Sequence, residues 1–349
     1  MTTIALDCMG GDHGPQEAVA GAAALSIERP DLHTILVGDA AQIGPLLDSM
    51  TYDPARLSVR HTPHFVGPED VPREALAAHP DVSIAEACEL VAEGRASAVV
   101  TAGSTGAAIL AAARRLGRIP GVRRAALAAV TPTEQRHGPH GDPFALLLDV
   151  GATLNVSSRD LVTFAIMGSA YAAAISGNDR PRVALLSNGT ESHKGPPEVV
   201  AAHAVLAELG EIEFAGNVEG LDIPRGSVDV VVTGGFIGNV VLKMLEGIGE
   251  VIADLASDAY ARKFLWRLGL TMLSSGIKQI EAVMDWESYG GAPILGFCQP
   301  VIKAHGRSRS GAIANACKVA AKAARSDMVR TVERAVARLP VPEEEEVGS

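Results

Sequence analysis

The sequence predicts an α/β fold on a doubly wound, mostly parallel sheet, and three observations point there. Short β-branched runs alternate with Ala-rich helical patterns along the whole chain. Most of those runs are followed by a glycine or turn cluster and then a helix, the signature of βαβ units. Apolar residues fill 47% of the 349 positions, aromatic ones only 4%, and there are 36 glycines, which suits helices packed tightly on both faces of a sheet.

The chain opens on TIALD, a strand over residues 3–7. A helix over 15–28 follows and begins at Pro15, whose missing N–H would be unpaired in a first turn anyway. Apolar runs at 33–37 and 57–61 give two more strands. After an irregular stretch at 63–80 come a helix over 83–93, a strand over 98–101 and a helix over 105–117. Strands at 125–131 and 144–149 flank TPTEQRHGPHGDP, whose Gly, Pro and His content reads as a surface loop over 132–143. The alternation continues with a helix over 159–176, a strand over 182–186, a helix over 197–209 and strands over 212–215 and 228–233. Helices over 239–261 and 310–338 complete it. No linker divides the chain, so residues 1–338 are expected as one α/β domain with a helical segment at about 240–288, and 339–349 as a disordered acidic tail.

Charge excludes one class of partner. With 30 basic against 41 acidic side chains and a net charge of −11, the chain lacks the cationic surplus that nucleic-acid phosphates require. The start, MTTIALDCMGG, has neither a basic n-region nor an apolar h-region, and no run reaches the ~18 apolar residues of a membrane span, so a cytoplasmic protein is expected. Cys8, Cys88, Cys298 and Cys317 form no CxxC pair and are expected as small buried residues.

Three strand-to-helix junctions carry the chemistry: TAGSTGA (101–107), LLSNGTESHKG (185–195) and VVVTGGFIGNVVLK (230–243). Each places small residues and free backbone N–H groups at a helix start, where the macrodipole favours an anion, and the three are expected to converge on one phosphate-type ligand. Neither GxGxxG nor GxxxxGK[ST] occurs, so no dinucleotide or nucleotide cofactor is expected. Lys194 stands where an ammonium can reach a bound phosphate, and His305 sits on a turn before Gly306. Asp7, Asp12, Asp149, Asp222 and Asp229 are scattered singly near strand ends; hydrogen bonding to turns is their expected role, and no metal is predicted. Ala102-Gly103-Ser104-Thr105-Gly106 is close to a nucleophile elbow, with Asp285 and His305 following in hydrolase order, so a serine hydrolase or thioesterase using Ser104 is one alternative. In the other, Ser104 and Thr105 act as a helix cap donating to phosphate. The run ARKFLWRLGLTMLSS sets Phe264, Leu265 and Leu268 beside Arg262, Lys263 and Arg267, a pattern for an interfacial helix, a dimer contact or a core helix. A non-catalytic membrane-surface binding protein is therefore the other alternative.

Eight ordered motifs spread from residue 4 to about residue 325 resemble the bacterial phosphate acyltransferase family: IALDCMGGDHGP, TAGSTGA, LLLDVGA, LLSNGTESHKG, GNVEGLDI, DVVVTGGFIGNVVLK, YGGAPILG and VIKAHGRS. The resemblance implies a fold similar to the isocitrate/isopropylmalate dehydrogenase and phosphate acetyltransferase group, working as a homodimer. It implies that inorganic phosphate attacks the thioester of acyl-acyl carrier protein to give acyl phosphate for phospholipid synthesis. Motif by motif, it implies a site of Asp12, His13, Ser104, Thr105, Asn188, Gly189, Lys194, Asn239 and His305, with Lys194, His305 and Asn239 catalytic and the others binding substrate. It further implies reversible peripheral contact with the inner face of the cell membrane, where a membrane glycerol-3-phosphate acyltransferase takes the product. The chain departs from the family pattern at Gly234, where Asp is common, at Ile237, where Thr is common, and at Ser192-His193, which replace an acidic pair.

Overall fold

The computed structural model describes residues 1–138, 141–262 and 290–339. Runs buried on both faces become its central strands, while the edge strands Leu57–His61 and Glu213–Val218 are more open to solvent. In the first half, β1 (Thr2–Asp7), β2 (Leu32–Gly38), β3 (Leu57–His61) and β4 (Ala98–Thr101) pair in parallel in the order β3-β2-β1-β4, and β11 (Val301–Lys303) adds in parallel beside β4. In the second half, β6 (Asp142–Leu148), β9 (Val230–Val232), β7 (Arg182–Leu186) and β8 (Glu213–Val218) are parallel to one another. Between them β10 (Ala292–Leu295) and β5 (Ala126–His137) supply the antiparallel pairings β11-β10, β10-β5 and β5-β6. The result is one eleven-stranded sheet whose two parallel halves run in opposite senses.

Helices cover both faces of each half. α1 (Gly14–Glu28) and α10 (Ser310–Arg325) bury Ile4, Leu36, Val100 and Cys317 on one face of the first half, while α4 (Ser83–Ala92) and α5 (Thr105–Arg115) bury Val37, Val99 and Leu90 on the other. In the second half α6 (Ser158–Ser176), α7 (Pro197–Glu208) and α11 (Met328–Val336) enclose Phe164, Leu148, Val183 and Val230, opposite the short α8 (Asp222–Arg225) and the start of α9 (Gly235–Arg262). α6 is the most buried helix and is fixed at both ends, by a Ser157–Asp160 capping box and by Gly177 at φ 72°.

Four details differ from the sequence expectation. Residues 132–137 and 142–143, expected in a surface loop, are strand and extend the β5–β6 hairpin. Pro132 and Pro143 fit because β10 pairs only with Ala126 and Leu127 of β5, and β9 only with residues 146–148 of β6, so neither proline must donate to an outer neighbour. The helix expected over 310–338 is two helices, because the Ser326 hydroxyl donates to the Ala323 carbonyl and turns the chain before α11. α9 begins at Gly235 rather than at Asn239. α2 (Ala40–Asp48), α3 (Pro72–Ala78), β10 and β11 were not expected; α2 is capped by Asp39 and runs past Gly44-Pro45.

Candidate active site

At the exit of the first half, Asp7, Thr101 and Lys303 lie in one row across three strands, Asp7 opposite Thr101 and Thr101 opposite Lys303. The buried Asp7 carboxylate accepts the Thr101 hydroxyl at 2.7 Å and the Met9 N–H at 3.2 Å. Thr101 Oγ1 in turn accepts the Gly103 N–H at 2.9 Å. The two exit loops touch backbone to backbone: a Cβ on Gly10 would lie 2.6 Å from the Gly103 Cα, so the approach requires glycine. Lys303 Nζ donates to the carbonyls of Ala102, at 3.1 Å, and Ala304. Burial pulls Lys303 down to about 8 against the opposing charges of Asp12 and Asp7, and burial pushes Asp7 up.

A cavity of about 260 Å³ opens beside this row, walled by Thr105, Asn239, Lys243, Glu246, Lys303 and His305. Burial, then the charges of Lys303, Arg307 and Lys243, hold the His305 imidazole below its ordinary range, so it is neutral at pH 7. Its Nδ1 accepts the Arg307 N–H at 3.2 Å. Ser104 caps α5, its Oγ accepting the Ala107 N–H at 3.4 Å. Asp12 donates its N–H to the Gly306 carbonyl at 2.9 Å, and His13 sits at the N-cap position of α1 without a side-chain cap bond.

A second, larger cavity of about 1100 Å³ lies at the exit of the other half. Ser187, Asn188, His193 and Lys194 line it together with Thr233, Gly234 and an apolar wall that includes Leu154, Val156, Phe236 and Ile237. The 187–196 loop is pinned from behind by Asn217, whose Nδ2 donates to the Glu191 carbonyl at 2.9 Å and whose Oδ1 accepts from His203 Nδ1 at 2.9 Å. Gly189 is buried against Lys194: a Cβ there would meet the lysine Cγ at 2.9 Å.

The two cavities share no lining residue, so the three junctions do not converge on one pocket. Opposite strand sense is the reason: junctions 101–107 and 185–195 leave the sheet at different ends. α9 connects those ends. It starts on the β6 exit, where a Cβ on Gly238 would collide with the Asp149 carbonyl, and runs back over β5 and β6. Its first turn faces the larger cavity and residues 239–246 face the smaller one. Asn239 is held there by donating from Nδ2 to the Val150 carbonyl at 3.1 Å.

Thr105, Asn239 and His305 are therefore brought together, with Asp12, His13 and Ser104 on the bordering loops, while Asn188 and Lys194 line the larger cavity and Gly189 is buried against Lys194. Phe264, Leu265, Leu268 and Asp285 lie outside the described residues. Asp149 accepts four backbone N–H groups, from Leu127, Gly151, Ala152 and Thr153, and Asp222 and Asp229 accept those of Glu219 and Arg182, the turn-holding role expected for them. Lys303 and Lys243 were missed; the sequence signal for Lys303 was its place closing the apolar run that leads into His305.

A family described as "Fatty acid synthesis protein" matches residues 2–331. A phosphate acyltransferase of Desulfitobacterium hafniense (strain Y51) is 40% identical over 99% of this chain and 100% of its own length. One of Myxococcus xanthus (strain DK1622) is 39% identical, covering 97% of this chain and 95% of its own. Among solved structures, a phosphotransacetylase from Streptococcus pyogenes superimposes with a TM-score of 0.62 at 16% identity, covering 93% of this chain and 94% of that one. A branched-chain phosphotransacylase from Enterococcus faecalis V583 gives 0.55 at 16% identity, covering 93% and 99%. These two show a shared fold. By its match over nearly the whole chain, the protein belongs to the fatty acid synthesis protein family, alongside the phosphate acyltransferases.

Proposed function

We propose that this chain transfers a fatty acyl group from the thioester of acyl-acyl carrier protein to inorganic phosphate, releasing acyl phosphate for phospholipid synthesis. The observation that carries the proposal is the smaller cavity, where a helix start at Thr105, the Lys303 ammonium and the neutral His305 imidazole meet. A phosphate oxygen attacks the thioester carbonyl carbon, and the new acyl–O bond forms as the acyl–S bond breaks. The phosphate dianion attacks through an unprotonated oxygen and needs no base; His305, whose Nδ1 accepts from Arg307, donates its Nε2–H to the phosphate, and the sulfur leaves as the thiolate. Lys303 and the α5 N–H groups hold the phosphate charge, and the amide of Asn239 orients the carbonyl. Thiolate leaves readily, so positioning and charge stabilisation matter more than a strong base.

In this reading the larger cavity receives the acyl-bearing arm on its apolar wall, with Asn188 and Lys194 countering negative charge at its rim. Residues 1–338 act as one α/β unit. Along α9, Ile237, Val240, Met244, Ile248, Val251 and Leu255 are exposed at spacings of three and four, a stripe suited to the seam of a homodimer. No helix among the described residues is long and apolar enough to cross a membrane, and a cytoplasmic protein that touches the inner membrane face reversibly through 264–273 can hand acyl phosphate to a membrane glycerol-3-phosphate acyltransferase. The test is direct. Purified full-length protein given acyl-acyl carrier protein and phosphate should form an acyl phosphate that hydroxylamine traps as the hydroxamate. Free fatty acid released without phosphate would point instead to a hydrolase.

A further inference from the structure

Outside both cavities, three side chains of metal-ligating type meet at the two ends of a single excursion of the chain. His64 leaves β3 and His79 ends α3, with Asp81 two residues on. The His64 Nδ1 is 3.0 Å from both carboxylate oxygens of Asp81. The His64 and His79 rings stack with centroids 3.9 Å apart and planes 20° from parallel. One ligand atom from each of the three residues lies within 4.8 Å of the other two.

The backbone beneath them is locked. Ser83 donates its N–H to the His64 carbonyl at 2.9 Å, and the buried Thr62 hydroxyl donates to the Asp81 carbonyl at 2.5 Å. Pro80 restricts the chain between the second histidine and the aspartate. A rigid support of this kind is what a ligand set needs if binding is not to order a loop from scratch.

We propose that His64, His79 and Asp81 form a binding site for one divalent transition-metal ion, zinc in the first instance. Two imidazoles and one carboxylate select zinc, nickel or copper over magnesium and calcium, which take oxygen ligands. A tetrahedral ion about 2.0–2.2 Å from each donor places the donors roughly 3.3 Å apart. The His64–Asp81 pair, hydrogen-bonded at 3.0 Å, is slightly closer than that, and the ion takes the place of the shared proton. His79 is exposed, so its ring is free to swing out of the stack and aim its lone pair at the same point. Solvent on the open side supplies the fourth ligand. The ion clamps the segment carrying α3, whose first residue, Pro72, would sit 3.5 Å from a Cβ on Gly106, next to Thr105. The site stands apart from the acyl-transfer reading and does not depend on it.

Full-length protein without an affinity tag, stripped with a chelator and titrated with Zn²⁺ by calorimetry, should bind one ion. His79→Ala, His79→Gln and Asp81→Asn should each lose that ion or weaken it at least 10-fold, with circular dichroism unchanged because these side chains are at the surface. His61→Ala, a neighbouring histidine outside the cluster, should bind as the wild type does. X-ray absorption of the zinc-loaded protein should show only nitrogen and oxygen neighbours, with two imidazoles. Failure of wild-type protein to bind Zn²⁺, retention of full affinity in His79→Ala, or sulfur in the coordination shell would overturn the assignment.

Discussion

Replacing Lys303 by methionine should separate stability from activity. An ammonium held at about 8 instead of near 10.5 carries a burial penalty of about 3 kcal/mol in the folded protein at neutral pH. Methionine removes that penalty and also the bonds to the Ala102 and Ala304 carbonyls, worth about 1.5–3 kcal/mol each when the donor is charged. The terms largely offset, so urea unfolding at pH 7 should find the variant between about 0 and 3 kcal/mol less stable than wild type. Activity should not follow: loss of a cation aimed at phosphate should cost about 10²–10³-fold in kcat/KM. The pH dependence checks the cause. From about pH 8 to 10.5 the unfolded chain keeps a proton that the folded chain has released, so wild-type stability should gain on the variant as pH rises through that window. Over the same rise, phosphate affinity of the wild type should fall as Lys303 loses its charge. A variant several kcal/mol less stable at pH 7 yet fully active would refute the reasoning and make Lys303 a purely structural donor.

Lys194→Ala should lower kcat/KM for the acyl carrier substrate by about 10²-fold while leaving the KM for phosphate and the unfolding midpoint in place; near-wild-type turnover would remove Lys194 from the site. Ser104→Ala should raise the phosphate requirement and cost about 1 kcal/mol of stability through the lost α5 cap, and stable labelling of Ser104 by a fluorophosphonate would establish a nucleophile there instead. Leu265→Glu with Leu268→Glu should release the protein from anionic vesicles, measured by co-sedimentation, with soluble activity kept; dissociation into monomers or misfolding would assign those residues to a subunit contact or the core.

Periodicity and turn chemistry made most of the parallel strands and their crossover helices legible, because a run such as AVVT followed by Gly-Ser-Thr has few other uses. The failures came where tertiary context overrides local signals. Pro132 and Pro143 argue for a loop until it is known that their outer edges are unpaired. β10 and β11 are four and three residues long, too short for any period, and owe their existence to the strands between which they lie. The motifs named Thr105, Asn239 and His305 together, yet sequence holds no record of strand sense, so the split between two cavities was invisible. His64, His79 and Asp81 match no ligand spacing because α3 intervenes and folds back.

The position of β11 has a consequence for how the protein is made. Among the described pairings, nothing joins β4 to β5 except β11 and β10, and both are encoded after residue 290. During synthesis the nascent chain therefore holds two unconnected pieces of sheet, with the edge of β4 open until β11 is made. A ribosome that stops short of Val301 releases a product with an adhesive edge and no Lys303. Closure of the sheet is thus tied to synthesis past residue 303.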